Sequence, residues 1–200
     1  MDGIAAIEQR MATIQRTLAL LTPRTTSTTA PAASPAPVTG TTSAFAATLA
    51  AEVRSAGAVP AVAGFTTEQV ANAAAVVEAG RGMGLSLRDQ AIGVMTAIGE
   101  SSLRVLDHGD TAGPDSRGLF QQRDNGAWGT LAERMDPTAS AQSFFRALQR
   151  VDGRAAMAPT QVAHAVQRNA DPDHYTRSWD DAVRLVARIA GVTEAQVAAG

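Results

Sequence analysis

DQAIGVMTAIGESSLRVLDHGDTAGPDSRGLFQQ, from Asp89 to Gln122, is the stretch whose reading decides the fold. Ser86 and Asp89 form an S-x-x-D capping box ahead of it. Ala91, Ile92, Val94, Met95, Ala97 and Ile98 then cover nearly every direction of a 3.6-residue repeat. A helix apolar all round is a buried one, so this helix is expected at the centre of a domain. Glu100 stands in its last turn, where the negative end of the helix dipole and apolar neighbours both disfavour the ionised carboxylate. A carboxyl group that keeps its proton near neutral pH is what general acid catalysis needs. Helix ends are also ordinary places for exposed, idle glutamates, so the carboxylate alone does not define a site.

The residues that follow add to it. Ser101 and Ser102 supply hydroxyls beside the carboxylate, a loop rich in Gly and Asp runs from Asp107 to Asp115, and Gly118-Leu119-Phe120-Gln121-Gln122 reads as a short hairpin with two amides at its end. Amides suit hydrogen bonding to sugar hydroxyls and acetamido groups.

Glu100-Ser101 after an apolar helix, then Gly118-Leu119-Phe120-Gln121, then Gln167-Arg168-Asn169-Ala170 with Tyr175 resemble the signature blocks of the lysozyme-like soluble lytic transglycosylases. The wider pattern LDHGD, DSRGLFQQR, WGT, MDP and AVQRNADPDHY with Trp179 is similar to the actinobacterial branch of that family, over about residues 66 to 190. The resemblance implies a mainly α, lysozyme-like α+β domain that cleaves the bond between N-acetylmuramic acid and N-acetylglucosamine in peptidoglycan strands. Glu100 would be the catalytic acid and base, with Ser101, Ser102, Phe120, Gln121, Gln122, Asn169 and Tyr175 around the substrate. It also implies that polar atoms of Asn169 and Tyr175 face the groove of Glu100. A transglycosylase closes a 1,6-anhydro ring without water and needs no second carboxylate. Asp107 or Asp110 is the candidate second acid if the reaction is instead hydrolysis in the manner of goose-type lysozymes. A non-catalytic wall-binding or assembly component is the alternative of a different class. The chain departs from the family pattern at Ala112-Gly113-Pro114 and at Arg123-Asp124-Asn125-Gly126, which bears on the groove's rim and on substrate preference.

Composition sets the outer bounds. Two hundred residues allow one domain of ordinary size with an appendage. A net charge of -2 and a pI near 5.9 give no reason to expect nucleic acid as a partner. Without cysteine there is neither a disulfide frame nor a thiolate metal site. His108 between Asp107 and Asp110 lacks the oxygen spacing of a calcium loop, no phosphate-binding glycine loop appears, and neither metal nor cofactor is expected. No apolar run is long enough to span a membrane.

Outward from the central helix, residues 1–21 carry Ile4, Ile7, Met11, Ile14, Leu18 and Leu21 in a heptad seam. A helix this short is marginal alone, so it is expected to pack on a copy of itself, on another protein or on the chain's own catalytic domain. Residues 22–64 read as a Pro/Thr/Ala-rich linker with a short helix at Phe45, Leu49 and Val53. Residues 65–200 are the expected globular domain. No cleavable signal is visible, so an extracytoplasmic site of action implies a non-classical, flagellar-type or phage route. The arrangement resembles proteins encoded with actinobacterial flagellar genes, where the wall must be opened locally.

Within the domain, Thr66 and Gln69 predict a helix to about Ala79, stopped by Gly80 and Gly82. Asp136-Pro137 opens one with Phe144, Phe145 and Leu148, and Pro159-Thr160 one with Val162 and Val166. Asp171-Pro172 opens the last long helix, through Tyr175 and Trp179 to Gly191. Trp128 fits either sugar stacking or core packing, and His164 and His174 read as surface or capping residues.

Overall fold

The computed structural model describes residues 60–200, and these are mainly α-helical. The heptad segment 1–21, the linker and the short helix expected after Phe45 lie outside the described residues. No helix among the described residues is long and apolar enough to cross a membrane.

Helix α1 spans Thr67–Gly82 and starts on a reciprocal capping box between Thr66 and Gln69. It does not stop at Gly80. The turn continues to a Met83 cap and closes when Gly84, at φ 71°, places its N–H on Arg81 O and that of Leu85 on Gly80 O. Gly80 is there for closeness: a Cβ on it would lie 2.7 Å from Gln90 Cγ and 3.2 Å from the Phe145 ring.

Helix α2, Leu87–Ser101, is the centre of the domain. Ser86 caps it, accepting from the Asp89 N–H at 3.1 Å. The Asp89 carboxylate does not close the box. It pairs instead with Arg154 Nε at 3.2 Å, beside a short 3-10 turn at Arg154–Ala156. Ala91, Ile92, Val94, Met95 and Ala97 are fully buried, as an all-round apolar helix requires. Helices pack on it from several sides: α1, α4 (Pro137–Leu148), α5 (Pro159–Gln167), α6 (Trp179–Ala190) and α7 (Glu194–Ala199). Gly93 admits Phe145 of α4, whose Cζ stands 2.6 Å from where a Cβ would be.

The five-residue helix α3, Leu131–Met135, leads into α4, which Asp136 caps through the Ala139 N–H at 2.7 Å. Proline occupies the first turn of α4 and of α5, where its missing N–H costs nothing. The last long helix, α6, begins at Trp179 and not at Asp171. Between Pro172 and Trp179 the chain makes turns and a 3-10 segment at Thr176–Ser178, which lays Tyr175 beside the end of α2 before the helix starts.

The expected hairpin is two isolated antiparallel bridges, Arg117 with Gln122 and Leu106 with Gly118. Arg117 and Gln122 exchange both backbone hydrogen bonds, at 3.1 and 3.0 Å. Leu119 and Phe120 at the tip turn inward and are fully buried. Phe120 stacks on Phe144 with ring centroids 4.8 Å apart. Burial of an aromatic side chain of this kind contributes about 1.5–3 kcal/mol, so the tip is pinned to α4 and not free to flap.

Candidate active site

The last turn of α2 carries Gly99 and Glu100, and Tyr175 meets both. The Tyr175 hydroxyl donates to Glu100 Oε1. Tyr175 itself is buried, and Gly99 makes room for its ring. Burial raises the Glu100 carboxyl above the ordinary glutamate value of 4.5. The Tyr175 hydrogen bond and the charge of His174 oppose that rise, and the charge of Asp110 adds to it. Burial also pushes the Tyr175 phenol up, with the neighbouring carboxylate adding to the shift, so Tyr175 stays protonated and remains a donor. No protein donor reaches the second carboxyl oxygen of Glu100 among the described residues. A half-buried carboxyl with a raised pKa, one oxygen fixed and the other open, is suited to deliver a proton.

The helix ends in two consecutive left-handed residues that are not glycine, Ser102 at φ 53° and Leu103 at φ 58°. Each costs roughly 1–2 kcal/mol in that region. Side chains of α1 hold both. Gln69 Nε2 donates to Ser102 O at 2.8 Å, and Asn72 Nδ2, buried, donates to Leu103 O at 2.9 Å. The sharp exit from α2 directly after Glu100 is thus fixed from a helix that precedes it by some thirty residues.

Several residues expected around a substrate are engaged elsewhere. Ser101 is buried and its hydroxyl lies 2.8 Å from Leu119 O and 3.1 Å from Ala97 O, so it ties the end of α2 to the turn and does not present a free hydroxyl. Phe120 is core. Gln122 is buried, with Nε2 donating to Ser140 O at 3.0 Å. Asn169 donates to Asp171 O at 3.0 Å and meets His164 Nδ1 at 2.9 Å, so its amide is occupied within the junction after α5. Ser102 is exposed, and Gln121, at φ 45°, is half-buried with its amide near Gly118 O.

The acidic loop divides. Asp107 is exposed and held below the ordinary aspartate value chiefly by its hydrogen bond with His108, 2.9 Å away. Asp115 is lowered chiefly by the Asp124 N–H, at 2.8 Å, and pairs with Arg123 at 2.5 Å. Asp110 accepts from the Gly113 N–H at 2.7 Å and is the acid of this loop whose charge acts on Glu100. No cluster of His, Asp and Glu able to hold a metal occurs among the described residues.

Sequence reading missed three contributors. His174 stands edge-on to Tyr175, centroids 4.8 Å apart, with Nε2 3.4 Å from Gly99 O. Gly99 could have been suspected, since a glycine directly before the acid in an otherwise apolar helix is costly unless something approaches. Arg134 is buried in α3 and binds Asp124 at 2.9 Å and the carbonyls of Asp115 and Gln122 at 3.3 Å, which braces the turn. Its backbone oxygen lies 1.9 Å from where a Cβ on Gly118 would stand, so position 118, at φ 76°, accepts glycine alone.

Next to the turn is a cleft of about 500 Å³ lined by Gln121, Trp128 and Gln167 among others. Glu100 is not part of its wall. Trp128 is half-buried and both packs on the core and borders this cleft. No protein-family model matches the chain, and no curated protein matches it.

Proposed function

We propose that this chain is a peptidoglycan lytic transglycosylase with a lysozyme-like catalytic domain and Glu100 as its single acid and base. The observation that carries the reading is the pairing of a half-buried, pKa-raised Glu100 with the Tyr175 hydroxyl at the end of the central buried helix α2. The resemblance of the Glu100, Gly118–Gln121 and Gln167–Tyr175 blocks supports the substrate class.

In this mechanism the protonated Glu100 gives its proton to the oxygen between N-acetylmuramic acid and N-acetylglucosamine as the C1–O bond breaks. The resulting carboxylate then takes the proton of the muramoyl C6 hydroxyl, and O6 bonds to C1. The proton returns to Glu100 and no water is consumed. Tyr175, held protonated by its surroundings, orients the carboxyl through Oε1 and steadies the charge when it forms. Local opening of the wall during flagellar or other envelope assembly is the role that fits the heptad segment and linker.

One observation favours a second reading. The charge of Asp110 acts on Glu100 and raises its carboxyl further, which favours Asp110 over Asp107 as the second acid of a hydrolytic reaction. The experiment is to incubate the protein and its Glu100→Gln variant with isolated peptidoglycan and take mass spectra of the soluble fragments. Anhydromuropeptides from the parent alone support the transglycosylase. Fragments heavier by one water make it a hydrolase, and no fragments from either protein leave a wall-binding role.

A further inference from the structure

We infer that the cleft bordered by Arg123, Arg150 and Arg168 is an anion subsite that takes the carboxylates of the peptide stems carried by the glycan. This rests on the reading of Glu100 as the group that cleaves that glycan.

The chain carries a net charge of -2, yet every charged residue lining this cleft is an arginine. A guanidinium keeps its charge at any pH the protein meets and offers a planar fork that matches a carboxylate. Arg123 is fixed in place by Asp115 at 2.5 Å and by Ala112 O at 3.4 Å. Arg150 and Arg168 make no side-chain ion pair or hydrogen bond among the described residues, and both are exposed. Amides of Gln121, Asn125 and Gln167 and the face of Trp128 complete a wall that is polar at some points and apolar at others, as a peptide requires. At about 500 Å³ the cleft suits a short peptide and not a folded partner.

The cleft is also tied to Glu100 through the chain. Gln167 Nε2 donates to Phe120 O at 2.9 Å, and Leu119 O receives the Ser101 hydroxyl at 2.8 Å. One turn therefore connects the residue after the acid to the wall of the arginine cleft. A muramoyl unit at Glu100 with its stem in the cleft would engage both ends of a single rigid element.

The test uses the full chain and its Arg150→Gln/Arg168→Gln double variant, with each single variant as a safeguard and thermal melting as a check on folding. The probe is a muramoyl tetrapeptide without further sugar, titrated calorimetrically at low and high salt. Binding that weakens with salt and falls about tenfold or more in the double variant is expected, the loss of about one charge-assisted hydrogen bond or more. Equal binding by parent and double variant overturns the inference, as does an affinity indifferent to salt. Displacement of the peptide by a lower concentration of a glycerol phosphate oligomer would make this a phosphate site and also overturn it. The two readings fail separately. Cleavage of glycan without arginine-dependent peptide binding sinks the subsite alone, and arginine-dependent peptide binding without cleavage of any glycan sinks the transglycosylase.

Discussion

The ring of Tyr175 occupies the space in which a side chain on Gly99 would stand: a Cβ there would lie 2.6 Å from Tyr175 Cδ1 and 3.0 Å from Cε1. Two effects therefore oppose each other in Gly99→Ala. Helix propensity favours alanine by about 1 kcal/mol, while overpacking costs about 1–3 kcal/mol. Because the obstacle is a buried ring, overpacking wins, and the melting temperature should fall. Activity should fall further than stability, because a displaced Tyr175 no longer holds Glu100. Melting curves and turnover on peptidoglycan, taken together, check this. Unchanged turnover would show that the Tyr175 position does not matter.

Tyr175→Phe removes the hydrogen bond that favours the ionised carboxyl and leaves the ring in place. The pKa of Glu100 should rise still further, so the alkaline limb of the rate profile should move to higher pH. The rate itself should drop by roughly 10–100-fold, since a preorganised donor at the developing charge is lost. A pH profile of fragment release measures both, and a limb that moves to lower pH contradicts the assigned role.

Glu100→Gln should abolish cleavage and stabilise the fold, by an amount that grows with pH. The folded carboxyl has a pKa above its ordinary 4.5, so the folded state binds more protons than the unfolded one in the interval between the two values. The native residue is therefore at its most favourable below the ordinary value, and stability is lost as pH rises through the folded value. Glutamine carries no such loss and can still accept from Tyr175. At neutral and alkaline pH the variant should melt higher, by the order of 2–4 °C for each kcal/mol relieved, and the difference should vanish near pH 4. Melting temperature against pH decides it.

The left-handed pair after Glu100 yields opposite expectations at neighbouring positions. Ser102 is exposed, so Ser102→Gly should relieve its conformational cost and stabilise by about 0.5–1 kcal/mol. Asn72→Ala leaves the buried Leu103 carbonyl without its donor and should cost about 1–3 kcal/mol. Chemical denaturation of both variants measures the difference. Retained turnover in Ser102→Gly would also show that the Ser102 hydroxyl does not handle substrate.

Much of this architecture was legible because its causes are local. The apolar run of α2 and the caps at Thr66, Ser86 and Asp136 act within one or two turns, and the structure places helices on each. Glycine at position 80 misled because close packing and helix termination call for the same residue, and only the nearby Phe145 ring distinguishes them. The Ser101, Phe120 and Gln122 side chains misled for a related reason. Hydroxyls, aromatics and amides serve a core as readily as a substrate, and α4 and the Leu119 carbonyl claim them here. The start of the last long helix was read too early because proline at position 172 permits a helix without demanding one, and Tyr175 must first reach Gly99. Asn72 and Arg134 went unseen, and His174 was read as a surface or capping residue, because each acts on a residue far from it in sequence, Leu103, Asp115 and Gly99 respectively.

The bonds from Gln69 and Asn72 to the carbonyls of Ser102 and Leu103 also bear on how small a working fragment can be. A fragment starting at Leu85 would keep the acid, its tyrosine, the turn and the arginine cleft, and would look complete to any motif search. It would lack both donors that hold the bend behind the acid, and Glu100 would sit on a fraying helix end. The smallest fragment that keeps the bend behind Glu100 therefore begins no later than Thr66, and shuffling of this domain between proteins must carry α1 with it.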